Sequence, residues 1–508
     1  MQGSRKVALA VASLIALFVP FFFYPAVTHR LPFGYGGLYA LMAEGIADHH
    51  FFLPLKVPYY GPGGLPFAYP PLSFYLMAAV THATGMSPLT YMRFMPPFGL
   101  VASVVAMFFL ARAITASIQQ ATLAAVLFGI SPTTFELQGD IGGVCRGVGL
   151  LAALVTATLV YRAVERATAR DVILAAVLFA ATILSHFAYA VFAAASMAMF
   201  GLRAMFGPRG MRRMWVVVVI GVIAGVLTLP WWVLMIHRHG LQVFMRIADT
   251  HDGMGFVRYL TDPWALGRLL VRYVVANGTP LGGGSAILGV AQQVATGAWF
   301  VPGWLLATAL FNGGEGARFA TVVTALLSAS ILRVVSESMC RHATSETRAT
   351  ATRAVFFGVL LLLSFGAAFV HHANSVAPSL SEEFLTVAQW VREHSPVNSR
   401  YLLVSDDAAQ HEMMTYFARR EPLVSYFGAE WTGRYREQAD RQKEIVECAR
   451  ERSYSCLDDF IRRNDLAVEV IVGRVDPRPE SIASRIEADD WQRVYANATY
   501  AVWQRQAR

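Results

Sequence analysis

Eleven apolar runs, separated by short loops in which arginine collects, constrain this chain more than any single motif. They lie near residues 7–27, 95–114, 119–135, 147–164, 171–185, 188–206, 214–236, 284–298, 299–312, 317–335 and 354–371. A bilayer-crossing helix needs about 20 apolar residues, and only helices or closed barrels satisfy their backbone polar groups in lipid. The pattern therefore predicts a polytopic α-helical membrane protein with about 11 transmembrane helices. Composition agrees, because 55% hydrophobic and 15% charged residues make 508 residues too apolar for a water-soluble chain. The runs 284–298 and 299–312 are short and interrupted by Gly297, Pro302 and Gly303, so two spans, one span or a re-entrant pair all remain open.

Charge sets the expected orientation. Arg112, then Arg162, Arg166 and Arg170, then Arg203, Arg209, Arg212 and Arg213, then Arg333, Arg341, Arg348 and Arg353 all fall on one side. Cytoplasmic loops carry this excess, which predicts a cytoplasmic N-terminus and an extracytoplasmic C-terminus in a multi-pass protein of the cell membrane. The formal charge of +8 is thereby explained by topology, and no nucleic-acid partner is expected. Val7–Val27 follows Arg5 and Lys6, yet it is long and no small-residue cleavage site follows, so it reads as a retained first helix.

Four regions then face outward: Thr28 to Pro97, Phe135 to Arg146, His237 to Gly283, and everything after His371. The first contains two segments too short to span, Tyr39 to Asp48 and Pro71 to His82, joined through a turn-rich connector at Tyr59–Gly64. From Ser379 the sequence turns polar. A capping-box-like Ser379 with Glu382 precedes Phe384–Val391, and strand or helix patterns follow at 401–404, 435–449, 468–472 and 500–503. The division expected is a transmembrane domain over 1–371 and a small α/β extracytoplasmic domain over 379–508. Four cysteines exclude a disulfide scaffold; Cys448 and Cys456 can bridge only if the chain bends between them, and two free thiols fit equally well.

The sequence Gly64 to Leu76, with Tyr69-Pro70-Pro71-Leu72 opening the second short helix, resembles the first outer loop of the GT-C membrane glycosyltransferases. That class includes the protein O-mannosyltransferases and the aminoarabinose transferase that modifies lipid A. The resemblance covers roughly residues 7–240, and beyond that only the layout matches. It implies a GT-C-like fold and transfer of a sugar from a polyprenyl-phosphate donor to an extracytoplasmic glycan, lipid or protein acceptor. It also implies membrane-lipid contact and a divalent metal such as Mg or Mn. One departure is plain: GT-C families commonly carry an acidic pair before the first surface helix, whereas this chain reads Tyr35-Gly36-Gly37-Leu38-Tyr39 there.

Such a reaction needs carboxylates and cations at the outer mouth of the bundle. Asp140, in a Gly-rich turn, is the first candidate for a base or metal ligand, with Glu136 as a second metal ligand and Arg146 as a phosphate contact. A loop Asp capping the helix beside an interfacial Arg fits the same residues equally well. Glu44 and Asp48, four apart on one helix face, substitute for the missing acidic pair, although a solvated face explains them more simply. Substrate contacts are expected from Tyr69, His186, His237 and Arg238, the last two beyond Pro230-Trp231-Trp232. Asp249, His251 and Asp252 form a further triplet able to hold metal. A transporter or flippase would show paired mid-span charges and related halves, and neither is visible. A GT-C scaffold without chemistry would account for the missing pair directly. The orientation is checked with a reporter that works only in the cytoplasm: fused after Arg508 it stays silent, and activity there would reverse every assignment of sides.

Overall fold

The computed structural model describes residues 2–61, 63–140, 142–207, 210–250, 259, 261–276, 280–312, 316–341, 345–375, 380–475, 482–488 and 491–505. Each of the eleven apolar runs contains a principal helix. They are α1 (Gln2–Thr28), α4 (Pro88–Thr115), α5 (Ile118–Gly129), α7 (Gly143–Arg166), α8 (Ala169–Ser185), α9 (Phe187–Met205), α10 (Gly210–His239), α13 (Pro280–Ala295), α14 (Phe300–Asn312), α15 (Ala317–Cys340) and α16 (Glu346–Ser375). Seven of these, α1, α4, α7, α9, α10, α15 and α16, are long and apolar enough to cross a membrane, counting described residues only.

The remaining four are shorter for local reasons. The run 119–135 breaks because Ser131, in extended conformation, starts a new helix, α6 (Pro132–Gly139), with proline where no N–H is needed. Gly297, at φ 73°, separates α13 from α14, so these are two helices. The buried core of the bundle is aromatic: Phe18, Phe21 and Phe135 are essentially inaccessible, and Phe21 meets Phe135 edge to face at 5.5 Å. By contrast only 22% of the apolar window of α10 and 11% of that of α16 are buried within the chain, so these helices present their side chains to lipid.

Between α1 and α4 lie α2 (Gly37–Asp48), a two-stranded hairpin of β1 (Lys56–Val57) and β2 (Leu65–Pro66), and α3 (Leu72–Thr84). The connector is thus a hairpin rather than turns alone, and Pro71 precedes the helix at the N-cap instead of occupying its first turn. Gly64 has φ 80°, and a Cβ there would meet the Val57 carbonyl oxygen at 2.6 Å, so this turn requires glycine. Beyond α10, α11 (Gln242–Thr250) and α12 (Pro263–Ala276) occupy the expected outer segment. His251 and Asp252 lie outside the described residues, as does the side chain of Asp249.

After α16 the chain forms α17 (Glu382–His394), β3 (Arg400–Val404), α18 (Ala408–Ala418), β4 (Glu421–Pro422), a 3-10 turn at Ala429–Thr432, α19 (Tyr435–Glu451), α20 (Tyr454–Arg463), β5 (Val470–Arg474), α21 (Ile482–Ala488), β6 (Trp491–Ala496) and β7 (Tyr500–Arg505). The sheet order is β4-β3-β5-β7-β6, with β3 parallel to β4 and β5, and β7 antiparallel to β5 and β6. The helix cap falls at Ser381, whose hydroxyl accepts from Phe384 N at 3.2 Å; Ser379 lies outside the described residues. Cys448 and Cys456 are bridged, with Cα atoms 5.4 Å apart. The bend that permits it is Arg452, in the left-handed region at φ 55°, followed by the Ser453 cap of α20.

This α/β unit docks on the connection between α1 and α4 through α18. Glu412, 1% exposed, accepts hydrogen bonds from Gly36 N and Gly37 N at 2.7 Å, from Leu38 N at 2.6 Å and from the Tyr60 hydroxyl at 2.9 Å. These amides open α2 and have no partner within their own helix. One residue row further along, Glu44 of α2 accepts from Tyr416 at 2.8 Å and from Arg419 at 2.7 Å. Replacing Glu412 by Ala strands three buried donors, so unfolding of the purified protein is expected to become easier by about 3 kcal/mol. Thermal unfolding in detergent is the check, and an unchanged midpoint would mean the docking is dispensable.

Candidate active site

The α6–α7 corner builds the central pair. Asp140 follows Gly139 in extended conformation, its carbonyl accepts from Gly143 N at 2.9 Å, and α7 restarts immediately. The corner is too tight for side chains: a Cβ on Gly143 would lie 1.9 Å from the Gln138 carbonyl oxygen. The turn aims Asp140 at Arg146 one turn into α7, with Nη2 to Oδ1 at 2.8 Å and side chains 24% and 12% exposed. From the opposite side Gly34, at φ 81°, closes over the carboxylate, and a Cβ there would stand 3.1 Å from Oδ2. Burial pushes the Asp140 pKa above the ordinary carboxylate value, against the pull of Arg146 and of the Gly142 and Gly143 amides. Arg146 Nε is buried with no hydrogen-bond partner among the described residues, so this guanidinium retains donor capacity.

Aromatic and polar groups from five other segments surround the pair. Tyr39 of α2 lies 6.0 Å from Tyr69 of the α1–α4 connection, ring to ring. Burial drives the pKa of both up, which keeps them protonated as donors at neutral pH. His186 stands 6.0 Å from Tyr69 and 5.3 Å from Tyr189, and its Nδ1 accepts from Ala188 N as the cap of α9. Gln138 donates to the Tyr189 hydroxyl, and the Arg318 guanidinium lies 5.5 Å over the Tyr189 ring. Trp431, from the 3-10 turn of the C-terminal unit, closes on Tyr69 at 5.7 Å.

Of the residues singled out from sequence, Asp140, Arg146, Tyr69 and His186 are thus brought into one neighbourhood. The others have separate places. Glu44 is engaged by Tyr416 and Arg419, and Asp48 is exposed at the end of α2. Glu136 pairs with His371 at 2.6 Å on an exposed surface. Arg238 donates to the Leu53 carbonyl at 2.9 Å, and His237 is exposed. Glu44 and Arg238 therefore pin the C-terminal unit and the α1–α4 connection. Gln138, Tyr189, Trp431 and Arg318 were not singled out. Arg318 carried a usable signal, being a charge in the first turn of a helix that carries no other until Arg333; the other three look like ordinary interfacial residues.

Asp140 and Glu136 have different partners, and no cluster of three or more His, Cys, Asp or Glu able to hold a metal occurs among the described residues. The expected Asp140 and Glu136 metal pair is therefore not assembled: the extended Asp140 turns toward Arg146, whereas Glu136, inside α6, reaches α16.

No curated protein matches this sequence. A family model described as 6-pyruvoyl-tetrahydropterin synthase related domain, membrane protein, matches residues 67–256. The fold is similar to that of the aminoarabinose transferase ArnT from Cupriavidus metallidurans bound to undecaprenyl phosphate, with TM-score 0.58, 12% identity and 98% of each chain covered. It is also similar to the Archaeoglobus fulgidus oligosaccharyltransferase in complex with Zn and sulfate, with TM-score 0.57 and 14% identity, covering 92% of this chain and 68% of that one. The mycobacterial arabinofuranosyltransferase AftD matches with TM-score 0.55 and 16% identity, over 99% of this chain and 40% of that one. The protein is a multi-pass membrane protein with the GT-C fold, carrying a C-terminal α/β unit.

The electrostatics of the pair predict a pH signature. A buried Asp140 loses its charge at a pH above the ordinary value of about 3.9 as the solution is acidified. Arg146→Gln removes the cation that lowers this pKa, so the acid limb of any Asp140-dependent activity shifts to higher pH. Profiles that superimpose would exclude Asp140 as the titrating group.

Proposed function

We propose that the protein transfers a sugar from a polyprenyl-phosphate-linked donor to a glycan, lipid or protein acceptor outside the cytoplasmic membrane. The observation that carries this reading is the buried Asp140–Arg146 pair, walled by tyrosines, at one mouth of a bundle with the GT-C fold. The undecaprenyl phosphate held by the ArnT neighbour supports the donor class. The Cys448–Cys456 bridge supports an oxidising compartment for the C-terminal unit, and with the arginine-rich loops it favours a cytoplasmic N-terminus.

In this reading Arg146 meets the donor phosphate, its Nε and terminal nitrogens offering charge-assisted hydrogen bonds as the bond from sugar C1 to the phosphate oxygen breaks. The acceptor hydroxyl attacks C1 and gives its proton to Asp140. The upward shift makes this carboxylate a stronger base than an ordinary aspartate. Tyr39 and Tyr69, kept protonated, orient sugar hydroxyls, and His186 completes that wall. The Zn in the oligosaccharyltransferase complex belongs to that protein; here Mg or Mn would meet one carboxylate already paired to arginine, so no step is assigned to an ion. A scaffold that keeps the fold without the chemistry is the second reading, favoured by the engagement of Glu44 with Arg419 instead of a substrate.

The decisive experiment uses purified protein in lipid with a radiolabelled polyprenyl-phosphate sugar and follows label leaving the lipid. Asp140→Asn preserves volume but can neither take the proton nor carry the charge, and is expected to cost about 100-fold or more in turnover. Glu44→Gln is expected to lower stability more than turnover. An active Asn variant beside a dead Gln variant would move the base to the first outer loop, and no transfer by the wild-type protein would leave the scaffold reading standing.

A further inference from the structure

The far end of α7 carries a second polar constellation that the proposed chemistry does not use. Arg146 and Arg166 are 20 residues apart on one helix, about 30 Å at 1.5 Å per residue, which is the thickness of the hydrocarbon core. At that opposite end a cavity of about 780 Å³ opens between α4 and α7. Its apolar wall is Ala106, Phe109, Val155 and Leu159, and its polar rim holds Arg112, Arg162 and Arg166, with Tyr161 and Thr158 between them.

We propose that this cavity binds an anionic phospholipid, the arginines taking the phosphate and the α4–α7 wall taking the acyl chains.

Arginine-rich loops at span ends satisfy topology wherever they sit, so three arginines alone would mean little. Here they converge on one hollow, and their charge is not cancelled. Glu165, on the same rim, lies 3.7 Å from Arg213, and Asp171 lies 3.5 Å from Arg162. The cavity itself is thus lined by three guanidiniums and one carboxylate. Arg112 and Arg166 have no ion-pair partner among the described residues, and Arg162 Nε is buried with no hydrogen-bond partner among them. Excess positive charge beside low-dielectric walls attracts an anion strongly.

The apolar wall decides which anion. A water-soluble phosphate would leave Phe109, Val155 and Leu159 uncovered, whereas a phospholipid covers them with its chains while its phosphate reaches the rim. Phe109, 40% exposed, continues the wall outward along α4. A zwitterionic headgroup brings its own ammonium into the arginine field and loses most of the advantage. Basic pockets between transmembrane helices on this side are a general mode of anionic-headgroup recognition.

The test measures thermal unfolding of the detergent-purified full chain titrated with phosphatidylglycerol or phosphatidylcholine. Phosphatidylglycerol is expected to raise the midpoint of the wild-type protein and phosphatidylcholine to leave it unmoved. The double variant Arg112→Gln/Arg166→Gln spares Arg162 and its buried partner Asp171. It should weaken the apparent affinity for phosphatidylglycerol about 25-fold, at about fivefold for each cation removed. Its midpoint without lipid should match the wild type, which separates loss of binding from loss of fold. Arg162→Lys, which keeps the charge, should bind more tightly than the double variant. Equal protection by phosphatidylcholine, or full protection of the double variant, would overturn the proposal. Protection by glycerol phosphate at the same concentration would make the cavity a site for free anions. Protection by polyprenyl phosphate alone would assign it to the carrier and equally overturn the phospholipid.

Discussion

A single carboxylate ties the two halves of this protein together. Glu412 sits at the start of α2 with three backbone amides and one tyrosine hydroxyl aimed at it. A helix N-terminus presents unpaired donors and partial positive charge, and it is a ready site for an anion. In most helices a neighbouring Ser, Thr, Asp or Asn fills that role. Here Gly36 precedes the helix with no side chain to offer, and the cap comes from a residue 376 positions away. The α/β unit is thereby docked on the loop that also supplies Tyr39 and Gly34 to the candidate site. Hydrogen bonds to a charged group are worth about 2 kcal/mol each, so the arrangement couples the order of that loop to folding of the tail.

The same coupling shapes the surroundings of Asp140. Gly34 approaches the carboxylate from the loop whose far end Glu412 anchors, and Trp431 reaches Tyr69 from the docked unit. A carboxylate and guanidinium this close to the bundle mouth would be well solvated if the loop and tail swung away. Enclosed by them, the pair interacts in a medium of lower dielectric, where attraction between the charges and the cost of desolvating them both grow. Asp140 registers the balance as an upward pKa. The tail therefore contributes to the electrostatics of the site by enclosing it, and Glu430 of its 3-10 turn acts on Tyr69 as well.

Much of the architecture was legible in sequence because lipid imposes a one-dimensional code. Each apolar run contains a principal helix, and the turn-and-proline signals around Tyr69-Pro70-Pro71-Leu72 marked α3 to within a residue or two. Strands β3, β5 and β7 were visible as short apolar runs, while β4, of two residues, and β6, with its polar face, carried no such pattern. Asp140 and Arg146 were legible because a glycine-rich turn brings residues six apart within reach, a strictly local matter. Glu412 was not. It lies within a helix of the tail that mixes polar and apolar residues without a clear face, and nothing near it announces that its partners are amides of the first loop. Charge at positions such as Glu44 and Arg238 reads as solvated surface or ligand site in one dimension, whereas tertiary contact makes each a bolt between segments.

These two kinds of legibility bear on the acidic pair absent from the first loop. A carboxylate just ahead of α2 would meet the same unpaired amides that Glu412 fills, and would place a second negative charge beside a buried one. Like charges in so dry a site repel strongly, so the position can host a local acid or the distant Glu412 but not both at ordinary cost. The sequence Tyr35-Gly36-Gly37 is what the second solution requires: glycines leave the amides open to a carboxylate arriving from outside, and a Cβ on Gly37 would lie 2.6 Å from Tyr416 Cβ. The missing pair and the tail's docking are then two faces of one arrangement, in which the first loop is a platform held from above and the negative charge at the bundle mouth is supplied by Asp140 of the next loop.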